Sequence, residues 1–293
     1  MYKIGVIGVP GNWSSEALAD EVEKKTGTRL LMEMKKITLD LGTGKAFYKD
    51  IEVTALDALI IKKIGLSYCP DFLDRLEVIQ FIESRGVRVF SKPGEIISML
   101  NRLSCTIKLR ENDIPMPQTF ITEDVEKAAE MVEKYKKAIA KPLYSTKARG
   151  MKVLEPGNGL IKELEEFKQA GNQSIYLQKM IDIPEKDLGV AFLGGKYVAT
   201  YARVGSKESW NTTIHSGGKY EPYNLSPNLI ELAEKAQAIF DLDFTCVDLV
   251  ETDEGPMILE VSAFGGFKGL RDAHNINIAE KYTEYVIKEL KNG

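Results

Sequence analysis

The sequence predicts an α/β protein: an open parallel α/β unit at the N-terminus, followed by α+β segments. Three observations carry this. The first ninety residues alternate strand, helix, strand, helix, strand, the signature of a parallel sheet with crossover helices. The second half holds two hairpin signals, Gly194-Gly195 and Asp253-Glu254-Gly255. The length, 293 residues, corresponds to about two domains at roughly 150 residues each.

In chain order, residues 2–9 (YKIGVIGV) read as a buried strand and Gly8-Val9-Pro10-Gly11 as a turn. A helix follows, capped by Ser14 or Ser15 and closed by Gly27. Residues 56–61 (LDALII) form a second apolar strand. From Pro70, apolar residues at Phe72, Leu73, Leu76, Ile79 and Ile82 recur at helical spacing up to Gly86. Residues 87–90 form a third strand. Gly5, Gly8 and Gly11 do not make GxGxxG, so a dinucleotide site there has little support. Pro115, Met116 and Pro117 form a stiff extended connector that reads as a boundary. Beyond it come a helix at 123–137 and strands at 138–141, 151–154, 175–178, 188–193 and 196–203. Ser226-Pro227 starts a helix that runs to Phe240, with Ser as N-cap and Pro at the first helical position. Strands at 245–250 and 256–262 precede a last helix from Asn277, whose Glu280 suits a capping box.

Composition narrows the function. Lys and Arg number 39 against 43 Asp and Glu, a net charge of −4 that argues against a general nucleic-acid binder. No apolar stretch reaches the length of a membrane span, and the N-terminal apolar run is too short and Gly-broken for a signal peptide. Three cysteines without CxxC, and only two histidines, make zinc or a disulfide framework a poor fit and point to a reducing, cytoplasmic compartment.

Three constellations could carry chemistry. A three-residue turn at Asp253–Gly255 would set Asp248 opposite Glu260, with Ser262 on the same face. Val247, Leu249, Leu259 and Val261 would then face a core. Two carboxylates and a hydroxyl at that spacing suit Mg²⁺, which takes one or two carboxylates plus substrate phosphates; a solvated hairpin face would carry the same residues. The second constellation is Lys141 at a strand end, followed by the small, basic loop 144–150 (YSTKARG), which could cradle phosphate or be an ordinary basic hairpin loop. The third is the polar stretch 210–218 (WNTTIHSGG), an anion-binding loop or a plain surface loop.

Taken in order, these residues resemble the ATP-grasp superfamily and, within it, the RimK-like ligases. The resemblance covers nearly the whole chain. It rests on DALIIKKIG (57–65), NRLSCTIKLRENDIPMPQT (101–119), AIAKPLYSTKARGMKV (138–153), YLQKMI (176–181), KDLGVAFLGGKYVATYARV (186–204), WNTTIHSGG (210–218) and CVDLVETDEGPMILEVSAFGG (246–266). The last is the most specific. The resemblance implies an ATP-grasp fold: an N-terminal domain at 1–104, then two α+β subdomains at 105–180 and 181–293 that clasp ATP. It implies that Lys141 and Arg203 serve catalysis. Nucleotide contacts would come from Arg102, Lys141, Gln178, Lys179, Asp187, Asn211, Thr212 and Thr213, and metal ligation from Asp248, Glu260 and Ser262. The cofactors would be ATP and Mg²⁺, two ions, with Mn²⁺ as an alternative. The partner would be a small molecule, peptide or protein bearing a carboxylate, with neither nucleic acid nor membrane; a homo-oligomer stays open.

The chain departs from the family's pattern in places. Arg102 stands where Lys is usual, Gly189 where a substrate-side Arg is usual, Asn211 and Thr213 where Arg and Asn are usual, and Ser262 where Asn is usual. Phe264-Gly265-Gly266 replaces Ser-Pro-Gly. Nucleotide and metal chemistry are thus expected to persist, while the acceptor pocket is remade. The implied reaction is carboxylate–amine or carboxylate–thiol ligation through an acyl phosphate. A hydroxyl-directed kinase, or a nucleotide-binding regulator with little turnover, are the alternatives.

Overall fold

The computed structural model describes residues 1–66, 68–145, 148–183, 186–205 and 219–292. Strand β1 (Ile4–Ile7) is buried throughout. Helix α1 (Trp13–Thr26) is capped at Asn12 rather than at a serine. The Ser15 hydroxyl instead accepts the Val9 N–H at 3.2 Å. Gly27 ends the helix in the left-handed region, φ +73°, where a residue without Cβ carries no steric penalty.

Next come β2 (Leu31–Met32) and an antiparallel meander of β3 (Ile37–Asp40), β4 (Lys45–Tyr48) and β5 (Ile51–Glu52). The sequence reading has no counterpart for the meander. The parallel unit then resumes with β6 (Ala58–Ile61), α2 (Asp71–Ser84) and β7 (Arg88–Phe90). Its sheet order is β2-β1-β6-β7, all parallel. The order reverses between β1 and β6, and open α/β sheets bind ligands in the crevice beyond the C-terminal ends at such a point.

Helices α3 (Pro93–Leu100) and α4 (Arg102–Glu111) are separated at Asn101, whose side chain accepts the N–H groups of Leu103 and Ser104. The expected boundary at 104/105 falls inside α4. A second unit holds β8 (Thr119–Thr122), α5 (Val125–Tyr135), β9 (Ala138–Lys141), β10 (Lys152–Leu154), α6 (Leu160–Gln169) and β11 (Ile175–Lys179). Its antiparallel sheet has the order β10-β9-β11-β8. Its apolar cluster, including Ala128, Val132, Ala140, Leu164, Phe167 and Leu177, is separate from the rest of the core.

The third sheet is antiparallel, in the order β14-β13-β12-β15-β16. Its strands are β12 (Lys186–Leu193), β13 (Lys196–Val204), β14 (Lys219–Tyr223), β15 (Phe244–Thr252) and β16 (Gly255–Ser262). Helices α7 (Pro227–Ala238), α8 (Lys268–His274) and α9 (Ile278–Asn292) accompany them. α7 stops two residues before the expected Phe240. The Gly194-Gly195 turn joins β12 to β13 with both φ angles positive, +55° and +72°, as a tight two-residue hairpin turn requires. Leu188, Val247, Leu249 and Val261 from this sheet share one apolar cluster with Ile61, Leu76 and Leu109 of the N-terminal region. Among the described residues, no helix is long and apolar enough to cross a membrane.

Lys62, just past β6, also crosses between these parts. Its side chain is buried. Nζ donates to the Gly265 carbonyl at 2.6 Å and lies 4.1 Å from the centre of the Phe267 ring. Burial pulls its amine down to about 7, the neighbouring Lys63 adding to the shift.

Candidate active site

The cleft face of the five-stranded sheet is set by alternation. Register pairs Asp187 with Arg203, Gly189 with both Tyr201 and Asp248, and Asp248 with Glu260. The last pairing arises differently from the sequence argument. The turn has two residues, with Thr252 paired to Gly255, which alone would oppose Asp248 to Leu259. A bulge between Asp248 and Leu249 on one strand and Ile258 and Glu260 on the other restores the carboxylate pair. Leu259 is the extra residue. Contrary to expectation it leaves the core face to Ile258, which is fully buried, and lines a small cavity with Glu260, Arg102 and Tyr68.

Both carboxylates of the hairpin meet an arginine. Arg102, the first residue of α4, donates Nη1 to Glu260 Oε2 at 3.1 Å. Its Nε donates to the Pro142 carbonyl at 3.3 Å, and its backbone N–H to the Leu143 carbonyl at 3.1 Å. It therefore joins the end of β9 to the hairpin. Arg203 reaches Asp248 Oδ1 through Nη2 at 2.9 Å. It also holds Asp187, through Nε at 2.9 Å and through Nη2. Burial raises the Asp248 carboxyl above the ordinary carboxylate range; Arg203 opposes the shift, and the like charges of Asp187 and Glu260 reinforce it.

On the neighbouring sheet, Lys141 ends β9 with its side chain buried. Its Nζ donates to Gln178 Oε1, and Gln178 Nε2 donates in turn to Thr119 Oγ1 at 3.2 Å. Burial pulls the Lys141 amine down to about 7, with Arg102 adding repulsion and Glu260 opposing. Lys179 is half-exposed and lies 3.6 Å from Glu254 at the hairpin tip. Its backbone N–H is bonded to the Gln118 carbonyl. Asp187 is buried and turned toward Arg203. Asn211, Thr212 and Thr213 lie outside the described residues, as do Lys147 and the rest of 206–218.

The oxygen-only set of Asp248, Glu260 and Ser262 fits a hard divalent cation such as Mg²⁺, which needs few protein ligands when phosphates complete its shell. Among the described residues, no group of three or more His, Cys, Asp or Glu is placed to hold a metal ion, at the hairpin or elsewhere. A cleft of about 590 Å³, lined by Tyr68, Tyr144, Arg149, Lys152, Phe167 and Asn172, opens beside the segment after β9; Arg203, Asp248 and Glu260 do not line it.

Sequence reasoning missed Tyr201. Its buried ring stacks over Gly189, where an added Cβ would lie 2.4 Å from the ring, and against Gly269, where one would lie 2.5 Å away. Its hydroxyl is 3.3 Å from Cys246 Sγ. The signal for it was present, since a glycine in mid-strand marks a close approach. The space that a side chain at 189 would take is thus filled by the Tyr201 ring.

Known proteins resemble this chain in sequence and in fold. The family model described as a RimK-like ATP-grasp domain matches residues 99–286. The tetrahydromethanopterin:alpha-L-glutamate ligase of Methanosarcina acetivorans is 25% identical over 320 residues, covering 98% of this chain and 99% of its own. A probable alpha-L-glutamate ligase of Legionella pneumophila is 25% identical over 217 residues, 73% of this chain and 72% of its own. In fold, the chain superposes on the ATP-grasp ligase PsnB bound to a minimal precursor with a TM-score of 0.76 at 16% identity, covering 98% and 99% of the two chains. The RimK domain ATP-grasp protein of Sphaerobacter thermophilus gives 0.76 at 16% identity, with 97% and 98% covered. With the family model matching more than half of the chain, this chain belongs to the RimK-like ATP-grasp family.

Proposed function

We propose that this chain is an ATP-dependent carboxylate–amine ligase that works through an acyl phosphate. The observation that carries the reading is the pairing of Asp248 with Glu260 on the hairpin, together with a buried lysine at the end of β9, Lys141, whose amine feels the charge of Glu260. The ligase names of the relatives support it. Lys141 would bind the phosphates of ATP, gaining a proton as it trades Gln178 for an anion. Gln178 and Lys179 would border the adenine, and Asn211, Thr212 and Thr213 would approach the phosphates. Asp248, Glu260 and Ser262 would hold Mg²⁺, two ions in the fuller reading, with Mn²⁺ able to substitute. When bound, the metal neutralises charge on the transferring phosphoryl group.

In the first step a carboxylate oxygen of one substrate attacks the γ-phosphorus, the bond to the β-bridging oxygen breaks, and ADP leaves. In the second, an amine attacks the carbonyl carbon, phosphate departs with the acyl oxygen, and the amine loses a proton. Arg203, held in place by Asp187, faces the negative charge that grows in both steps; preorganised charge of this kind is the largest single source of such stabilisation. The acceptor would be a small molecule or peptide with a carboxylate. The aromatic wall at Gly189 argues that its binding differs from that of the glutamate ligases. The unpaired cysteines Cys69, Cys105 and Cys246 suit a cytoplasmic setting.

Hydroxylamine tests the reading. An acyl phosphate is electrophilic at carbon and yields a hydroxamate with this small nucleophile. A panel of carboxylic acids with Mg-ATP should give at least one hydroxamate, formed in step with ADP and absent with Glu260→Gln. An acid or alcohol that stimulates ADP release yet gives only a stable phosphate ester would replace the ligase by a kinase.

A further inference from the structure

Asp248 and Glu260 of the hairpin are each matched by an arginine, and each arginine has a second partner. Arg203 holds Asp248 through Nη2 while Nε and Nη2 also bind Asp187. Arg102 holds Glu260 through Nη1 while Nε keeps the Pro142 carbonyl. A buried guanidinium stripped of every partner would be costly. Here neither is stripped if it gives up the hairpin, because Asp187 and Pro142 remain. A cation cannot take the same oxygens while the guanidiniums hold them without bringing like charges together.

We propose that Arg102 and Arg203 are exchangeable counter-ions of the metal hairpin, so that a divalent cation gains Asp248 and Glu260 only when nucleotide phosphates draw the two guanidiniums away. Metal and nucleotide then bind as a coupled pair, and the hairpin resists loading by metal alone. The arginines released from the carboxylates are the charges that turn to the phosphates. Because α4 also ties Leu143 and Pro142 to Glu260, the exchange at Arg102 links the segment after Lys141 to the hairpin. The inference rests on the ATP-grasp reading and adds to it an order of events at the site.

The test is Mn²⁺ binding without turnover, followed by electron paramagnetic resonance at pH 8. Wild type, Arg102→Gln and Arg203→Lys are titrated with Mn²⁺ alone and again with saturating ADP. Melting curves confirm that each is folded; Arg102→Lys replaces Arg102→Gln should the latter not fold. Expected is weak binding of Mn²⁺ alone to wild type, strengthened at least tenfold by ADP. In Arg102→Gln, Mn²⁺ alone should bind at least fivefold tighter, and the gain from ADP should shrink because one guanidinium no longer has to be displaced from Glu260. Folded Arg102→Gln that binds Mn²⁺ alone no tighter than wild type, while wild type still binds Mn²⁺ with ADP, overturns the counter-ion inference and leaves the ligase reading standing. No Mn²⁺ binding to wild type even with ADP overturns both.

Discussion

Replacing Lys62 by methionine should reverse its effect on stability with pH. In the fold this amine titrates at about 7, whereas in the unfolded chain it titrates near 10.4. Between those values the unfolded state binds more protons than the folded one, so wild-type stability rises with pH across the window. At about 1.4 kcal/mol per pKa unit, the gain between pH 7 and 9.5 is roughly 3 kcal/mol. Methionine has no such dependence. It also removes the donor to Gly265, and a buried carbonyl left unpaired costs about 1–3 kcal/mol. The variant should therefore be as stable as wild type or more so at pH 7, and less stable at pH 9.5. Urea unfolding of both proteins at pH 7, 8.5 and 9.5 reads the difference directly, and groups common to both cancel. A stability difference constant within about 0.5 kcal/mol over this range would refute the reasoning, because the buried amine would then titrate as an exposed one.

Lys141→Ala should weaken ATP binding by about 1.5–3 kcal/mol, the worth of a charge-assisted contact. Wild-type affinity should fall as pH rises above 7, where the amine of the free enzyme is already neutral, while the variant's affinity stays flat; calorimetric titration from pH 6.5 to 8.5 decides. Gly189→Ala should destabilise by about 1–3 kcal/mol through overpacking, since its Cβ would meet a Tyr201 ring that Gly269 keeps from retreating; an unchanged melting temperature would show that the ring has room.

The parts of this molecule that were legible in the sequence are those with local causes. β9 and the two hairpins of the third sheet follow from alternation and from glycines at turns, and Asp248 and Glu260 were found because they lie on paired strands a dozen residues apart. Even there the turn is one residue shorter than the spacing predicts, and a bulge at Leu259 gives the same pairing by another route. The meander of β3 to β5 escaped because its strands are short, half-exposed and mixed in polarity. The helices α3 and α4 escaped because one asparagine both ends the first and caps the second. The arginines were legible as candidates but their partners were not: Arg102 meets Glu260 across 158 positions of sequence, a contact that no local pattern encodes.

The apolar cluster behind Lys141 and Gln178 shares no residue with the clusters behind the hairpin. Packing strain travels through touching side chains, so a change of volume under the hairpin reaches the residues that support Lys141 through polar links such as Arg102 and the Thr106–Tyr176 hydroxyl pair rather than through a shared apolar core. A lineage could therefore alter the walls around Gly189, Tyr201 and Gly265 through many substitutions while the nucleotide side stays in tune. Separate interiors of this kind let one half of a binding cleft drift to new substrates under selection while the other half keeps a common fuel.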